Sequence, residues 1–213
     1  EGWKMTTDIT AWLSIGSTYT YLTAMRIGSV QIQQDLKFHI RPISIREIMK
    51  SMDNIPFPPS KKAKADYMWR DIQRRAKFYS IPEPSSQVPY PLQNFDKANL
   101  VGIVMNKRGK YLEYLKETYR LWFLKGIEAG SEENLRSVFS TLNIELDDVL
   151  KEASSDKTRS AYEKETELAR VKGIFGAPSF TVKDEIFWGD DRLEDAIRYA
   201  KGISPDSRAC HTD

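Results

Sequence analysis

Ser17-Thr18-Tyr19-Thr20 stands where an apolar run gives way to a helix-forming segment, so hydroxyl-bearing side chains crowd a helix start. The first amides of a helix have no intrahelical partner and carry the positive end of its dipole, which favours an anion. With Ser17 Oγ–H beside those amides, a thiolate supplied from outside the chain would be stabilised. A free thiol has a pKa of about 8.5, and such surroundings lower it to roughly 3.5–7.5. The plainer alternative is that Ser17 or Thr18 only caps the helix. Far along the chain, Gly176-Ala177-Pro178-Ser179 leads into a strand-like run. Proline fits a strand's first position and can take a cis bond there. Ala177 then offers backbone N–H and C=O to an extended peptide; an ordinary strand-starting proline is the alternative. In Trp188-Gly189-Asp190-Asp191-Arg192-Leu193, adjacent acids at a helix start suit the dipole. They could also recognise an α-amino acid end, with Asp191 pairing the ammonium and the helix amides meeting the carboxylate.

Elements to position these residues are legible in the hydropathy pattern. Ile9 to Ile15 is short, apolar and partly β-branched, a strand, broken by Gly16 and Ser17. From Tyr19 to about Ile32, apolar residues at Tyr19, Leu22, Met25 and Val30 follow a roughly helical repeat. Leu36 to Ile43 alternates as a half-buried strand, so the helix is a crossover between parallel strands. Beyond the proline-rich Ile55–Ser60, an amphipathic helix is expected over Asp66–Tyr79. Ile81 to Leu92 holds Pro82, Pro84, Pro89 and Pro91 and is irregular. Helices follow at about Phe95–Asn106, Tyr111–Gly126, Ser131–Leu142, Glu145–Ser154 and Asp156–Lys172. Ser131-Glu132-Glu133-Asn134 starts like a capped helix, and Gly173 stops the last of the series. Ser179–Val182 and Glu185–Trp188 read as a hairpin turning at Lys183-Asp184. Arg192 to Ala200 is a final helix, and the tail from Ile203 is expected to fray.

The order is β-α-β, a helical block, then β-β-α. Short terminal elements cannot bury a sheet separately, so residues 8–43 and 173–201 are expected to share one core. Residues 44–172 form an all-helical insertion, and 1–7 and 202–213 are tails. This is the α/β order of a thioredoxin-like core with helices inserted in its middle. Such a core carries a Cys-x-x-Cys pair at its first β-α turn, faced by a strand-starting proline. Here Ser17 and Thr20 hold both cysteine positions, so disulfide exchange is lost while the anion-holding helix start remains.

Composition narrows the function classes. The 213 residues suit one domain, or one core with an insertion. Thirty-two basic and thirty acidic side chains leave +2, so no global field points to nucleic acid or an anionic surface. No apolar run approaches the roughly 18–20 residues of a spanning helix, so no membrane partner is expected. The single cysteine, Cys210, forbids an intramolecular disulfide and reads as an inert tail thiol; a reducing compartment, the cytoplasm, follows. With two histidines and one cysteine, zinc sites built on Cys/His clusters are excluded, and no metal is expected. Met5 reads as the native start, behind Glu1–Lys4, with no signal peptide. Ser60–Tyr79 carries seven basic against two acidic side chains, interleaved with Tyr67, Trp69, Phe78 and Tyr79. A nucleic-acid surface is one reading; a helix with a solvated basic face that helps attract an anionic ligand is the favoured one. His39 reads as structural or exposed rather than catalytic.

Ser17-Thr18-Tyr19-Thr20-Tyr21-Leu22 resembles the Ser-Pro-Tyr-Ser-Tyr-Leu of the kappa-class glutathione transferase and 2-hydroxychromene-2-carboxylate isomerase family, whose fold is DsbA-like. Phe175-Gly176-Ala177-Pro178-Ser179-Phe180 with Phe187-Trp188-Gly189-Asp190-Asp191-Arg192-Leu193 resembles that family's C-terminal signature, in the isomerases' Phe-Trp-Gly-x-Asp-Arg-Leu form. Met49 to Pro56 and Lys64 to Asp71 resemble its Asn-x-Pro and Lys-x-x-Tyr-Met segments. The similarity spans nearly the whole chain in the right order.

The resemblance implies glutathione as cofactor, bound between core and insertion. Ser17 would face its sulfur and act as the catalytic residue, with Thr18 and Tyr19 lining the same turn. Asn54 and Lys64 would come from the insertion, Lys64 meeting a glutathione or substrate carboxylate. Lys61 or Lys62 could take that part, because the alignment needs a one-residue insertion after Asn54. Ala177, beside Pro178, would pair with the cysteinyl backbone, and Asp190 and Asp191 with the γ-glutamyl end. The family's proline after the serine is Thr18 here, which loosens the first helical turn. The implied activity is isomerisation of an aromatic oxo-acid by reversible thiolate addition, in the breakdown of aromatic compounds, by a homodimer. A kappa-like transferase or peroxidase that consumes glutathione is the alternative within chemistry. A non-catalytic binding module that kept the fold is the alternative outside it.

Overall fold

The computed structural model describes residues 7–54, 59–204 and 206. β1 (Ile9–Leu13) is apolar on both faces because it lies inside the sheet. It runs parallel to β2 (Phe38–Pro42) and antiparallel to β3 (Ser179–Val182), and β4 (Glu185–Trp188) completes the order β2-β1-β3-β4. The parallel pair is joined by α1 (Thr20–Gln34), which ends at Asp35 in the left-handed region. The β3-β4 hairpin turns at Lys183, also at positive φ. Between β2 and β3 lie α2 (Ile45–Ser51), α3 (Lys62–Phe78), α4 (Phe95–Lys107), α5 (Tyr111–Lys125), α6 (Glu132–Leu142), α7 (Leu146–Ala153) and α8 (Asp156–Val171). A short 3-10 turn over Asp190–Arg192 leads into α9 (Leu193–Ala200). This is the thioredoxin-like α/β arrangement with inserted helices expected from the sequence. Among the described residues no helix is long and apolar enough to cross a membrane.

The sheet divides two cores. Ile9, Ala11, Leu13, Phe38 and Phe180 join the larger one, which runs into the insertion through Tyr114, Tyr119, Trp122 and Phe123. On the other side Trp12 packs with Ile43, Ile45, Ile48, Ala169 and Ile174, from α2, α8 and their flanks. The sheet's β2 edge is closed from within. Ile43 N–H donates to Leu13 C=O, which turns Phe38, Ile40 and Pro42 outward. Phe38 N–H donates to Gln31 Oε1 and Ile40 C=O accepts from Asn106 Nδ2, both at 3.1 Å, and Pro42 has no N–H. Those positions are unavailable to another strand.

Three expectations need correction. α2 has no counterpart among the expected elements, yet Ser44-x-x-Glu47 announces it: Ser44 Oγ accepts from Glu47 N–H at 3.3 Å. α3 begins at Lys62, behind a 3-10 turn over Pro59–Lys61, and not at Asp66. Lys62 pairs with Asp66 one turn on, so the lysine-rich stretch is the helix's first turn and not a charged lead-in. Neither Ser17 nor Thr18 caps α1; Tyr19 occupies the N-cap position and makes no capping bond. Met5, Ile55, Pro56 and Cys210 lie outside the described residues. His39 is exposed, its Nε2 3.3 Å from Asp8 Oδ2.

Candidate functional site

The segment between β1 and α1 is held by the insertion. Gly16 turns the chain at φ +120°, a backbone state that side chains disfavour. Just before it, wholly buried Asn99 of α4 binds both backbone groups of Ile15: Ile15 N–H donates to its Oδ1 at 2.9 Å, and its Nδ2 donates to Ile15 C=O at 2.8 Å. Just after it, the Tyr119 hydroxyl of α5 donates to Ser17 C=O at 2.6 Å and lies 3.3 Å from Ser14 C=O. Burial pushes the Tyr119 pKa well up, so the phenol stays a donor. Asn99→Ala removes the two hydrogen bonds to Ile15 and a third to Phe95 C=O, worth about 1 kcal/mol net each, so a loss of about 3 kcal/mol is expected in urea unfolding. A loss near zero would show that Ile15 finds other partners.

Ser17 and Thr18 turn their hydroxyls to tertiary partners. Ser17 Oγ–H donates to Ala177 C=O at 2.6 Å, across 160 residues of sequence. The Ala177-Pro178 bond is cis, as its place before a strand allows. Buried Thr18 donates to Met68 Sδ at 2.9 Å and so ties the first helical turn to α3. Tyr19 donates to Asp71 Oδ2 at 2.8 Å. Burial first, then the Asp71 carboxylate, push its pKa well above the ordinary phenol value, so Tyr19 remains protonated.

Ser17, Thr18, Tyr19, Asn54, Lys64 and Ala177 line one cavity of about 320 Å³. Of the three candidate lysines, Lys64 is the one in its wall; Lys61 and Lys62 are not. Asn54 arrives at the end of α2, where its N–H closes onto Met49 C=O at 2.9 Å. The sequence reading missed several other wall residues. Met49, Met68, Tyr90 and Phe95 form apolar surface, and Arg46 of α2 adds a second cation beside Lys64. At the mouth, Phe175 and Trp188 pack edge to face with ring centres 4.9 Å apart, both partly exposed. Trp188 lies so close over Gly176 that a Cβ there would come within 2.2 Å of its Nε1. Gly176→Ala is therefore expected to push Trp188 off the rim. The tryptophan emission should change, and the change should vanish in a Trp188→Phe background; a change that persists would place the disturbance elsewhere.

Pro178, Asp190 and Asp191 are not brought to this wall. Pro178 stands behind Ala177, its C=O accepting from Gly189 N–H at 2.9 Å. Asp190 does not face the cavity as expected: its carboxylate is buried and already engaged. Arg26 Nε lies 3.0 Å from Asp190 Oδ1, Thr23 donates to the same oxygen at 2.8 Å, and Arg75 stands 3.7 Å from Oδ2. Arg26 also pairs with Glu194 and stacks over the Tyr79 ring at 4.0 Å. Burial, the largest influence, holds the Asp190 carboxyl above its ordinary value against the pull of those cations. Asp191 is exposed, beyond the cavity lining. Among the described residues no cluster of His, Cys, Asp or Glu is arranged to hold a metal ion.

The arrangement offers a hydroxyl at a helix start, a peptide-like backbone edge beside it, two cations and aromatic walls. It suits an anionic, partly aromatic ligand. Comparison with known proteins gives a consistent picture. The model of the DSBA-like thioredoxin domain matches residues 8–199. The 2-hydroxychromene-2-carboxylate isomerase of Sphingobium xenophagum is 25% identical over 195 residues, spanning 89% of this chain and 96% of that protein. The enzyme of the same name from Pseudomonas putida is 24% identical over 179 residues, 83% of this chain and 86% of that one. A solved structure of 2-hydroxychromene-2-carboxylate isomerase superposes with a TM-score of 0.79 at 22% identity, covering 91% of this chain and 94% of that chain, a likeness of fold.

Proposed function

This chain belongs to the DSBA-like thioredoxin domain family, and we propose that it is a glutathione-dependent isomerase of an aromatic oxo-acid such as 2-hydroxychromene-2-carboxylate. The observation that carries the reading is Ser17, whose hydroxyl faces Ala177 C=O at 2.6 Å in the cavity wall. A hydroxyl there can hold a sulfur anion but cannot exchange disulfides, so the sulfur has to be borrowed. The isomerase name carried by relatives at 25% and 24% identity supports the same reading.

The residues present fit most of the tripeptide. Ser17 meets the sulfur, Ala177 offers its backbone to the cysteinyl residue, and Asn54 with Lys64 suits a carboxylate at the far wall. Asp191 is left as the acid for the ammonium end, since Asp190 is withdrawn into its own ion pair. When bound there, glutathione would supply a thiolate able to add reversibly to a conjugated acid, so that it would be recovered and not consumed.

The chain's own residues prepare that chemistry. Ser17 gives up a neutral acceptor, Ala177 C=O, for a charged one; hydrogen bonds to charged groups are worth about 1.5–3 kcal/mol against about 1 for neutral ones. Tyr119 holds the Ser17 carbonyl, and Asn99 the Ile15 backbone just before it, while the Ser17 hydroxyl turns. Thr18, where the family has proline, is steadied by its bond to Met68. Burial, and then Asp71, keep Tyr19 as a neutral donor. Phe95, Tyr90, Phe175 and Trp188 keep water from the reacting bond and stack on a planar substrate. On this reading the protein works in the cytoplasm as a homodimer on a small aromatic substrate, with neither nucleic acid nor membrane as partner.

Product analysis tests the proposal. Incubated with glutathione and 2-hydroxychromene-2-carboxylate, the protein should release the isomerised acid with glutathione recovered in full. Net consumption of glutathione, with a chlorinated aromatic conjugated to it, would make the protein a transferase.

A further inference from the structure

Arg46 is a cation of the cavity wall that makes no ion pair among the described residues. It sits in the first turn of α2, half-buried, and is held in two ways. One Nη donates to Leu92 C=O at 3.1 Å, and the guanidinium lies over the Phe95 ring at 3.8 Å. Together these fix the plane of the fork. A guanidinium has five N–H donors, and the Leu92 bond is the one that Arg46 makes with the described residues. No carboxylate among them lies within ion-pair distance, although most other arginines of the chain have one. Burial lowers the Arg46 pKa below the ordinary guanidinium value, and the pull of Tyr90, Asp96 and Tyr162 offsets it only in part, the mark of a charge incompletely compensated for its removal from water.

We propose that Arg46 anchors the carboxylate of the aromatic substrate, its fork binding both oxygens while the ring of that substrate lies among Phe95, Tyr90 and Trp188. The proposal deepens the isomerase reading and rests on the same cavity. It divides the two cations of the wall: Lys64 serves the glutathione carboxylate, and Arg46 the second substrate. Planar, bidentate recognition of a carboxylate is what arginine provides and lysine does not. The anchor makes the acid group a requirement of the site and not an incidental feature of one substrate.

Calorimetry with trans-cinnamate and its neutral amide, trans-cinnamamide, tests this without any turnover. The unaltered protein should bind cinnamate about tenfold or more tightly than cinnamamide. Arg46→Gln should abolish that preference and leave glutathione affinity within about twofold, while Arg46→Lys should keep a few-fold preference. Equal affinity for acid and amide in the unaltered protein overturns the proposal, and that comparison needs no variant to fold. So does a preference that survives Arg46→Gln, or a glutathione affinity that falls as far as that for cinnamate. If the preference disappears as expected while no oxo-acid is isomerised, the anchor stands and the isomerase reading falls.

Discussion

Ser17→Ala should lower glutathione-dependent turnover at neutral pH by roughly 10- to 150-fold, the equivalent of a charge-assisted hydrogen bond of about 1.5–3 kcal/mol. The pH dependence is the sharper readout. A hydroxyl that donates to the thiolate lowers the thiol pKa, so turnover reaches its plateau at lower pH in the unaltered protein. Without it the midpoint should move up by about one to two units, at about 1.4 kcal/mol per unit. The deficit of the variant should then shrink as the medium becomes alkaline and the thiol ionises unaided. A deficit equal at every pH would assign Ser17 to shaping the pocket, and an unchanged profile with unchanged turnover would remove it from the chemistry. Folding should be little affected, because the side chain is half-buried and forgoes one neutral bond.

Asp190→Ala should have the largest effect on stability. Arg26 and Asp190 have side-chain exposures of 7% and 1%, and the carboxylate is what offsets the buried guanidinium. Removing one partner of such a pair costs about 3–5 kcal/mol. For a chain of this size that is a fall in Tm of roughly 6–20 °C. Asp190→Leu combined with Arg26→Met, which removes both charges and keeps the volume filled, should recover much of the loss. Thermal denaturation of the variants decides it: a fall below about 2 °C for Asp190→Ala would mean that Arg26 is compensated by Glu194 alone. The same pair explains how the C-terminal turn is set. Arg26 Nη2 donates to Asp190 C=O at 2.7 Å, and Arg75 reaches the carboxylate from α3, so core and insertion meet at one charge cluster.

The fold was largely legible because its punctuation is local. Gly16, the prolines between Ile81 and Leu92, Gly126, Ser131 and Gly173 mark ends that the structure keeps within a residue or two. The β3-β4 hairpin falls on the expected residues because two apolar runs flank a two-residue turn. What local pattern misses is competition from distant partners. Ser17 and Thr18 are well suited to capping, yet Ala177 C=O and Met68 Sδ, far away in sequence, take their hydroxyls. Asp190 reads as a surface acid at a helix start, and is buried because Arg26 comes in from α1 to neutralise it. α2 is too short for its periodicity to register, although its Ser44-x-x-Glu47 start was there to be read. Arg46 was passed over for the same reason: nothing within a few residues announces that its neighbours will be Phe95 and Leu92.

The clasp that Asn99 and Tyr119 place on the chain around Gly16 has a consequence for how such a protein could be shortened or could have arisen. Both clasping side chains come from the inserted helices, while the backbone they steady belongs to the strand-turn-helix opening. A miniature made by splicing residue 43 to residue 173 would retain the strand sequences and the proline but lose the scaffold of its own reactive bend. The helices are thus no accessory bolted onto a self-sufficient minimal fold: deletion from the middle would strip the reactive bend of its clasp and Trp12 of its cover by α2 and α8 together.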